Sequence, residues 1–272
     1  MVRKTIDDVR KFWNANPLLT GELSEQAGTK KWFEAFDEIK TSDIFLDDLS
    51  DWVYPALEGK TILDVGTGPG YWNRRLGKMN LTYYGIDISS KSVEMAKKSQ
   101  AIFGLHGSLQ EGNAEELPFE DGFFDHVLSE GVLHHTPETQ KCIDEVHRVL
   151  KDGGTACVSL YYKNIFLRSP AAFKTVLSLM RIFHIGLKGR GREKMSFASS
   201  PEELIRMYDG AENPIGKAYT KAEMKKMFSK FREMELSLYY IPLRAFPVKM
   251  PRALIKALSK RFGLMILAKV RK

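Results

Sequence analysis

Residues Ile62 to Tyr71 read ILDVGTGPGY: an apolar run, an acid at Asp64, and glycines at the alternate positions 66, 68 and 70. Glycine has no Cβ and tolerates positive φ, so a run of this kind lets a ligand lie directly against main chain. An apolar strand entering such a loop and leaving as a helix is the opening unit of a parallel α/β sheet, and ligands bind at the carboxyl ends of its strands. Spacing then limits the ligand. A phosphate-binding P-loop needs a Lys after its last glycine, and none follows Gly70. A dinucleotide fingerprint GxGxxG places its third glycine where this chain has Tyr71, which weakens that reading. An acid followed by GxGxG remains.

The chain around this stretch changes rhythm at Gly59. Before it, TIDDVRKFWNA and KKWFEAFDEIKTSDIFLDDLSDWV carry apolar residues near helical spacing, separated by Pro17 and Gly21, and predict a helical N-terminal cap over residues 1–58. From 59 to 272 strand and helix alternate. TILDVG, LTYYGIDI, GLHGSLQEGNA and FFDHVLSEGV predict four strands, with helices from Tyr71 and after Ser89 or Ser90. The helix in PETQKCIDEVHRVL is expected to end at a KDGG turn, after which TACVSLYY is the fifth strand. Residues 163–219 break the rhythm as a helical insertion with a flexible basic loop KGRGREK. TKAEMKKMFSKF, EMELSLYYI, PRALIKALSKRF and LMILAKV then resume it. The expected fold from this rhythm is one α/β domain built on a parallel sheet.

Composition is that of an ordinary globular chain with ample apolar residues for a core. The two cysteines, Cys142 and Cys157, form no metal-type spacing, so a reducing, cytoplasmic setting is the default expectation. No signal-peptide pattern opens the chain, and no uncharged apolar run is long enough to span a bilayer. The net charge of +7 is unevenly spread: Ile241 to Lys272 holds nine Lys/Arg and no acid, which leaves −2 for the rest. That argues against a nucleic-acid footprint over a whole face. Within this tail, Arg252, Lys256 and Lys260 are spaced by four, with Leu254, Ile255, Leu258 and Phe262 on another side. An interfacial helix has this pattern, so a peripheral membrane-surface contact through residues 244–272 is one reading; a solvated or sheet-packed amphipathic helix is the other.

Further landmarks follow the glycine loop in order. Asp87 ends the second strand about twenty residues on, where a carboxylate can accept both hydroxyls of a ribose. EGNAEELPFEDGFFDHVLSEGVLHH and VHRVLKDGGTACVS come next. Together these resemble the class I S-adenosylmethionine (SAM) dependent methyltransferases, over about Lys60 to Leu160. The resemblance implies SAM as cofactor and, for the α/β fold, a Rossmann-like doubly wound sheet of about seven strands, mostly parallel with an antiparallel last strand. It would place Asp64 near the methionine amino group, with Gly66, Thr67, Gly68 and Gly70 as the loop beneath it. Asp87 and Ile88 would bracket ribose and adenine, Asn113 and Ala114 would meet the adenine edge, and Ser129 and Glu130 would lie beside the cofactor. Where the family usually has Gly-Asp-Ala this chain has Gly112-Asn113-Ala114, a mild departure because an amide oxygen also accepts a hydrogen bond.

Methyl transfer from a sulfonium is an in-line displacement, so alignment and exclusion of water matter most. A general base helps a hydroxyl, amine or acidic carbon acceptor, and His134, His135 and Tyr161 are the candidates. Tyr162, Tyr208, Asn213, Tyr219 and Trp13 are expected around the acceptor, the middle three from the turn-rich YDGAENPIGKAYT. Phe12, Trp13 and Trp32 are expected to close over the cofactor. Phe173, Val176, Leu177, Met180, Ile182 and Phe183 of the insertion are expected to cover the acceptor, which favours a small, apolar or lipid-like molecule. No His/Asp/Glu cluster suggests a metal. The Asn/Asp-Pro-Pro-aromatic motif of adenine-modifying relatives is replaced by SEGV, and no Pro-Cys pair is present, so nucleic acid is an unlikely acceptor. A nucleic-acid or protein methyltransferase and a non-catalytic SAM-binding module are the alternatives.

Overall fold

A computed structural model describes residues 4–20, 22–44, 57–184, 187, 189–241 and 251–272 of the chain. Eight strands form one sheet: β1 (Thr61–Val65), β2 (Thr82–Asp87), β3 (Ser108–Glu111), β4 (Phe124–Glu130), β5 (Leu150–Tyr162), β6 (Ala218–Tyr219), β7 (Glu233–Tyr239) and β8 (Met265–Arg271). Their order is β3-β2-β1-β4-β5-β8-β7, with the two-residue β6 beside the end of β5. β1 to β5 run parallel, and β8 runs antiparallel between β5 and β7. The Rossmann-like fold and the antiparallel last strand are as expected. β6 has no counterpart in the sequence reading, since two residues carry no periodicity.

Alternation along each strand divides the core into two layers. Ile62, Leu128, Cys157, Tyr161 and Leu267 face one side, and their neighbours Leu63, Val127, Val158, Leu160 and Ile266 face the other. The first layer is covered by α2 (Lys30–Ile44), α3 (Tyr71–Leu76), α4 (Ser90–Phe103) and α7 (Pro170–Ile182), the second by α5 (Thr139–Val149) and α9 (Lys221–Met227). Both cysteines are free and buried, and burial pushes their thiols up to about 12.

KDGG is not the expected turn. β5 starts at Leu150, directly after α5, and the extra residues form a bulge: Phe124 pairs with Leu150, then His126 with Thr155. Gly153 absorbs the kink at φ 75°. α2 follows the predicted helix to Ile44; the rest of that prediction, including Asp47 and Asp48, lies outside the described residues, as do residues 244–250 of the tail. The remainder of the tail forms α10 (Arg252–Phe262) and β8, and α10 packs beside β7 through Ile255 and Ser259.

The helix α1 (Ile6–Ala15) starts at a reciprocal cap between Thr5 and Asp8 and buries Val9 and Phe12. At its end, Asn14 Oδ1 accepts hydrogen bonds from Ser89 Oγ at 2.9 Å and from Lys91 N at 3.4 Å. This ties α1 across the start of α4, above the carboxyl ends of β1 and β2.

Candidate active site

The glycine loop adopts the conformation its composition predicts. Gly66, Gly68 and Gly70 have φ of 81°, 52° and 85°, a region costly for residues with a Cβ. Gly66 N and Thr67 N both donate to Ile86 O, at 2.8 and 2.9 Å, which holds the loop on β2. A Cβ at Gly66 would come within 2.2 Å of Val132 Cγ2. Gly68 lines the main cavity, and a Cβ there would meet nothing within 4 Å, so the space against its main chain is open.

Asp87 Oδ2 accepts from Gly68 N and Asp87 Oδ1 from Ser89 N, each at 2.9 Å. Burial at the base of the cleft raises its carboxyl to about 6 against the pull of these two N–H groups. Each oxygen keeps one lone pair for the cavity, which suits a vicinal diol. Ile88, Asn113 and Ala114 line the same end. Asn113 Oδ1 accepts from Glu115 N at 3.0 Å, so its oxygen is already engaged in a local turn.

Asp64 lies beneath the loop rather than in the cavity wall. Its Oδ2 accepts from Tyr83 Oη at 2.5 Å, and Tyr83 meets Thr67 Oγ1 at 3.0 Å. Its Oδ1 is buried and has no hydrogen-bond partner among the described residues. Burial lifts this carboxyl to about 7, opposed by the hydrogen bonds of Tyr83 and Thr67. Ser129, expected beside the cofactor, instead donates to Val65 O at 3.1 Å and stitches β4 to β1, fully buried. Glu130 does line the cavity, paired with Lys40 at 2.6 Å and accepting from Trp72 Nε1 at 3.1 Å.

At the other end of the cavity, a 3₁₀ turn over Leu133–His135 carries the two histidines. His134 is completely buried, 4.1 Å between ring centres from Tyr161, with neither nitrogen hydrogen-bonded among the described residues. Burial, followed by the charges of His135 and Lys217, holds its pKa well below the usual value; it is a neutral packing ring, not the base the sequence suggested. His135 has the cavity instead. Its Nδ1 is 2.7 Å from Ile215 O, and a carbonyl can only accept, so Nδ1 carries a proton. Its Nε2 is 3.2 Å from Asp209 Oδ2, the oxygen that also accepts from Tyr161 Oη at 2.5 Å. Burial acts to raise the Asp209 pKa. The hydrogen bond and charge of His135, the Tyr161 hydroxyl and Arg190 outweigh it and hold the carboxylate below its ordinary range. Burial, together with the charge of Asp209, pushes the Tyr161 phenol well above 10, so it stays a donor.

Of the expected acceptor residues, Trp13 lines the cavity with its ring edge-on to His135, centroids 5.4 Å apart, and Tyr208 lines it with its hydroxyl bonded to that of Tyr240. Asn213 is buried behind His135, its Nδ2 3.3 Å from Nδ1. Tyr162 and Tyr219 are turned away. Tyr162 follows Tyr161 on a strand and therefore points to the opposite face, and Tyr219 pairs with it there and donates to Thr139 Oγ1 at 2.8 Å. Trp32 is a fully buried core ring packed on Phe33. None of the six apolar residues expected from α7 reaches the cavity: Phe173 and Leu177 pack into the core, and Ile182 and Phe183 are exposed.

Among the polar cavity residues that carry no sequence signal are Glu22, Lys40, Arg190, Arg192 and Tyr240. Glu22 is clamped by Arg192 at 2.6 Å and Arg190 at 3.3 Å, across some 170 residues of chain. Among the described residues, no group of three or more His, Cys, Asp or Glu is placed to hold a metal ion, and no helix is long and apolar enough to cross a membrane.

Comparison with known proteins agrees with this geometry. Residues 63–158 match the family model described as a methyltransferase domain. They form a class I SAM-dependent methyltransferase domain. The 2-methyl-6-phytyl-1,4-hydroquinone methyltransferase 2 of Oryza sativa subsp. japonica is 36% identical over 101 residues, 36% of this chain and 28% of that protein. The fatty-acid O-methyltransferase of Mycolicibacterium smegmatis is 36% identical over 100 residues, 36% of each chain. The methyltransferase domain thus aligns with only about a third of these relatives' length. A solved chain from the complex between the Haloferax volcanii Trm112 methyltransferase activator and a methyltransferase superposes with a TM-score of 0.55 at 20% identity. That match covers 97% of this chain and 96% of the other, which shows a shared fold.

Proposed function

We propose that the protein transfers a methyl group from SAM to a small acceptor with an apolar body and a reacting hydroxyl, whose proton passes to Asp209. A single observation carries this reading: one cavity runs from Gly68, Asp87 and Asn113 to His135, Tyr161 and Asp209. The residues present fit the cofactor. The open space against Gly68 and the spare lone pairs of Asp87 offer main-chain clearance and diol acceptors, with Asp64 supporting the loop from beneath. Bound SAM supplies an electrophilic methyl on a sulfonium.

The chain's own residues do the rest. His135 faces an oxygen acceptor through each ring nitrogen, Ile215 O at Nδ1 and Asp209 Oδ2 at Nε2, so it serves as a donor that orients Asp209 and not as the base. Asp209, kept ionised by His135, Tyr161 and Arg190, is the carboxylate at this end of the cavity that takes the proton as the methyl group is transferred. Tyr161 keeps Asp209 in position, and Ile215 O keeps His135. Trp13 covers the ring, and Leu18, Leu19, Ile39, Leu187 and Met265 supply apolar wall against which an apolar acceptor excludes water. The fatty-acid and phytyl-hydroquinone relatives support an acceptor of this class.

The test uses SAM labelled on its methyl group, incubated with the protein and mixtures of apolar phenols and carboxylic acids. Label extracted into organic solvent supports the reading. Label confined to precipitated protein or nucleic acid would move the function to those acceptors, and SAM binding without any transfer would make the protein a SAM-binding module.

A further inference from the structure

The insertion does not cover the acceptor with its apolar residues; it exposes them. Ile182 is 67% exposed, Phe183 56% and Phe197 70%, with Leu179 beside them on α7. α7 explains this arrangement: it anchors to the core through Phe173 and Leu177, one turn apart, and that leaves Leu179, Ile182 and Phe183 on the outer side of its last turn. The Arg192–Phe197 turn packs on α7, where Arg181 lies over the Phe197 ring at 4.8 Å. Ile165 and Phe166 of the adjoining α6 (Ile165–Arg168) are also exposed. Phe166 stacks at 5.7 Å on Phe262 of α10, and Asn164 Nδ2 donates to Phe262 O at 3.4 Å. The exposed apolar residues of α6 and α7 and the basic helix α10 are therefore neighbours.

Charge singles out the same elements. Residues 163–200 and 241–272 together hold 17 of the 41 Lys/Arg and one of the 34 Asp/Glu, Glu193, which leaves the rest of the chain at −9. Arg168, Lys174 and Arg181 are exposed on α6 and α7, and Arg252, Lys256 and Lys260 on α10. A surface of large apolar tips among cations suits a bilayer with anionic headgroups: acyl chains take the tips and headgroups take the charges. A second copy of the chain does not fit, because two such faces would oppose like charges, and a nucleic-acid duplex presents a charged backbone with its base faces stacked away from Ile182 and Phe183.

We propose that α6, the last turn of α7, the Arg192–Phe197 turn and α10 form a docking face for an anionic lipid surface. The chain between Phe183 and Phe197 supplies Leu187, Arg190 and Arg192 to the cavity wall, so a bilayer held here lies against the acceptor end of the cavity. Docking does not depend on the methyl-transfer reading, since it is measured without SAM.

The experiment is cosedimentation of the full chain with vesicles of phosphatidylcholine alone and of phosphatidylcholine mixed with phosphatidylglycerol. The parent is compared with Ile182→Ser/Phe183→Ser/Phe197→Ser and with Lys256→Glu/Lys260→Glu, and S-adenosylhomocysteine binding serves as the check that each variant folds. The expected result is partition onto the mixed vesicles, at least about tenfold weaker in high salt and on phosphatidylcholine alone. The apolar triple variant is expected to bind roughly a hundredfold more weakly, and the charge variant about tenfold. Absence of binding to the mixed vesicles at low salt overturns the proposal. So does salt-sensitive binding that the triple variant leaves unchanged, which would mark a plain polyanion site, or a concentration-dependent dimer lost in the triple variant without vesicle binding.

Discussion

Replacing Asp87 with Ala tests the cofactor half of the site. Its two oxygens each accept one main-chain N–H, from Gly68 and from Ser89, and each retains a lone pair toward the cavity. If those lone pairs take the two ribose hydroxyls, Asp87→Ala removes two hydrogen bonds to a charged acceptor, each worth roughly 1.5–3 kcal/mol. SAM and S-adenosylhomocysteine should then bind roughly 10² to 10⁴-fold more weakly, since about 1.4 kcal/mol is tenfold. Stability should fall much less, because the freed N–H groups border a cleft that water can enter. Asp87→Asn keeps one acceptor oxygen and should fall between the two. Isothermal titration gives the affinity and urea unfolding the stability. An affinity for S-adenosylhomocysteine within threefold of the parent in Asp87→Ala, with the fold intact, would refute the diol assignment.

Four further outcomes follow from the geometry. His135→Ala and Asp209→Asn should each lower the methyl-transfer rate by a factor on the order of 10² to 10⁴ while leaving S-adenosylhomocysteine affinity nearly unchanged, and loss of both together would assign these residues to cofactor binding instead. Gly66→Ala forces a Cβ to within 2.2 Å of Val132 at a φ of 81° and should cost about 3–5 kcal/mol; adding Val132→Ala should recover the steric part and leave the backbone part, and a cost below 1 kcal/mol in the single variant would count against the loop geometry. Asp64 is neutral in the folded chain up to about pH 7 but ionises near 3.8 when unfolded, so its contribution is complete below pH 3.8 and is lost as pH rises toward 7. That amounts to on the order of 4 kcal/mol, and urea midpoints between pH 5 and 8 should show a slope that Asp64→Asn flattens. Glu22→Gln leaves the guanidinium groups of Arg190 and Arg192 without their buried carboxylate; limited proteolysis should show cleavage within residues 5–22 at least about tenfold faster than in the parent, and an unchanged pattern would mean the clamp holds nothing in place.

What could be read from the sequence was local. The glycine loop, Asp87 at the end of β2 and the helix–strand rhythm are set by residues a few positions apart, so the fold and the cofactor end were legible. Tyr161 against Tyr162 was not: alternation guarantees that the two diverge, but only the helices packed on each face decide which one meets a ligand. KDGG carries every mark of a turn, and pairing with β4 overrides it. Aromatic spacing in α2 looked the same whether Trp32 closed over a ligand or filled the core. The α7 side chains failed as cavity wall for the related reason that an apolar stripe on a helix names its faces and not their neighbours. Glu22, Arg190 and Arg192 meet only through the tertiary fold, and a Gly-rich basic loop reads as solvated chain until its partner is seen.

Arg190 gives these contacts a common centre. Its guanidinium donates to Pro17 O at 2.5 Å, pairs with Glu22 and reaches Asp209 O at 3.4 Å, so one side chain touches the N-terminal segment and the main chain of the residue behind His135. Lifting the N-terminal segment would strip this cation of its carboxylate and loosen its hold on the main chain of Asp209 in the same movement. A change at the N-terminal wall of the cavity is thereby felt at its acceptor end through a single side chain.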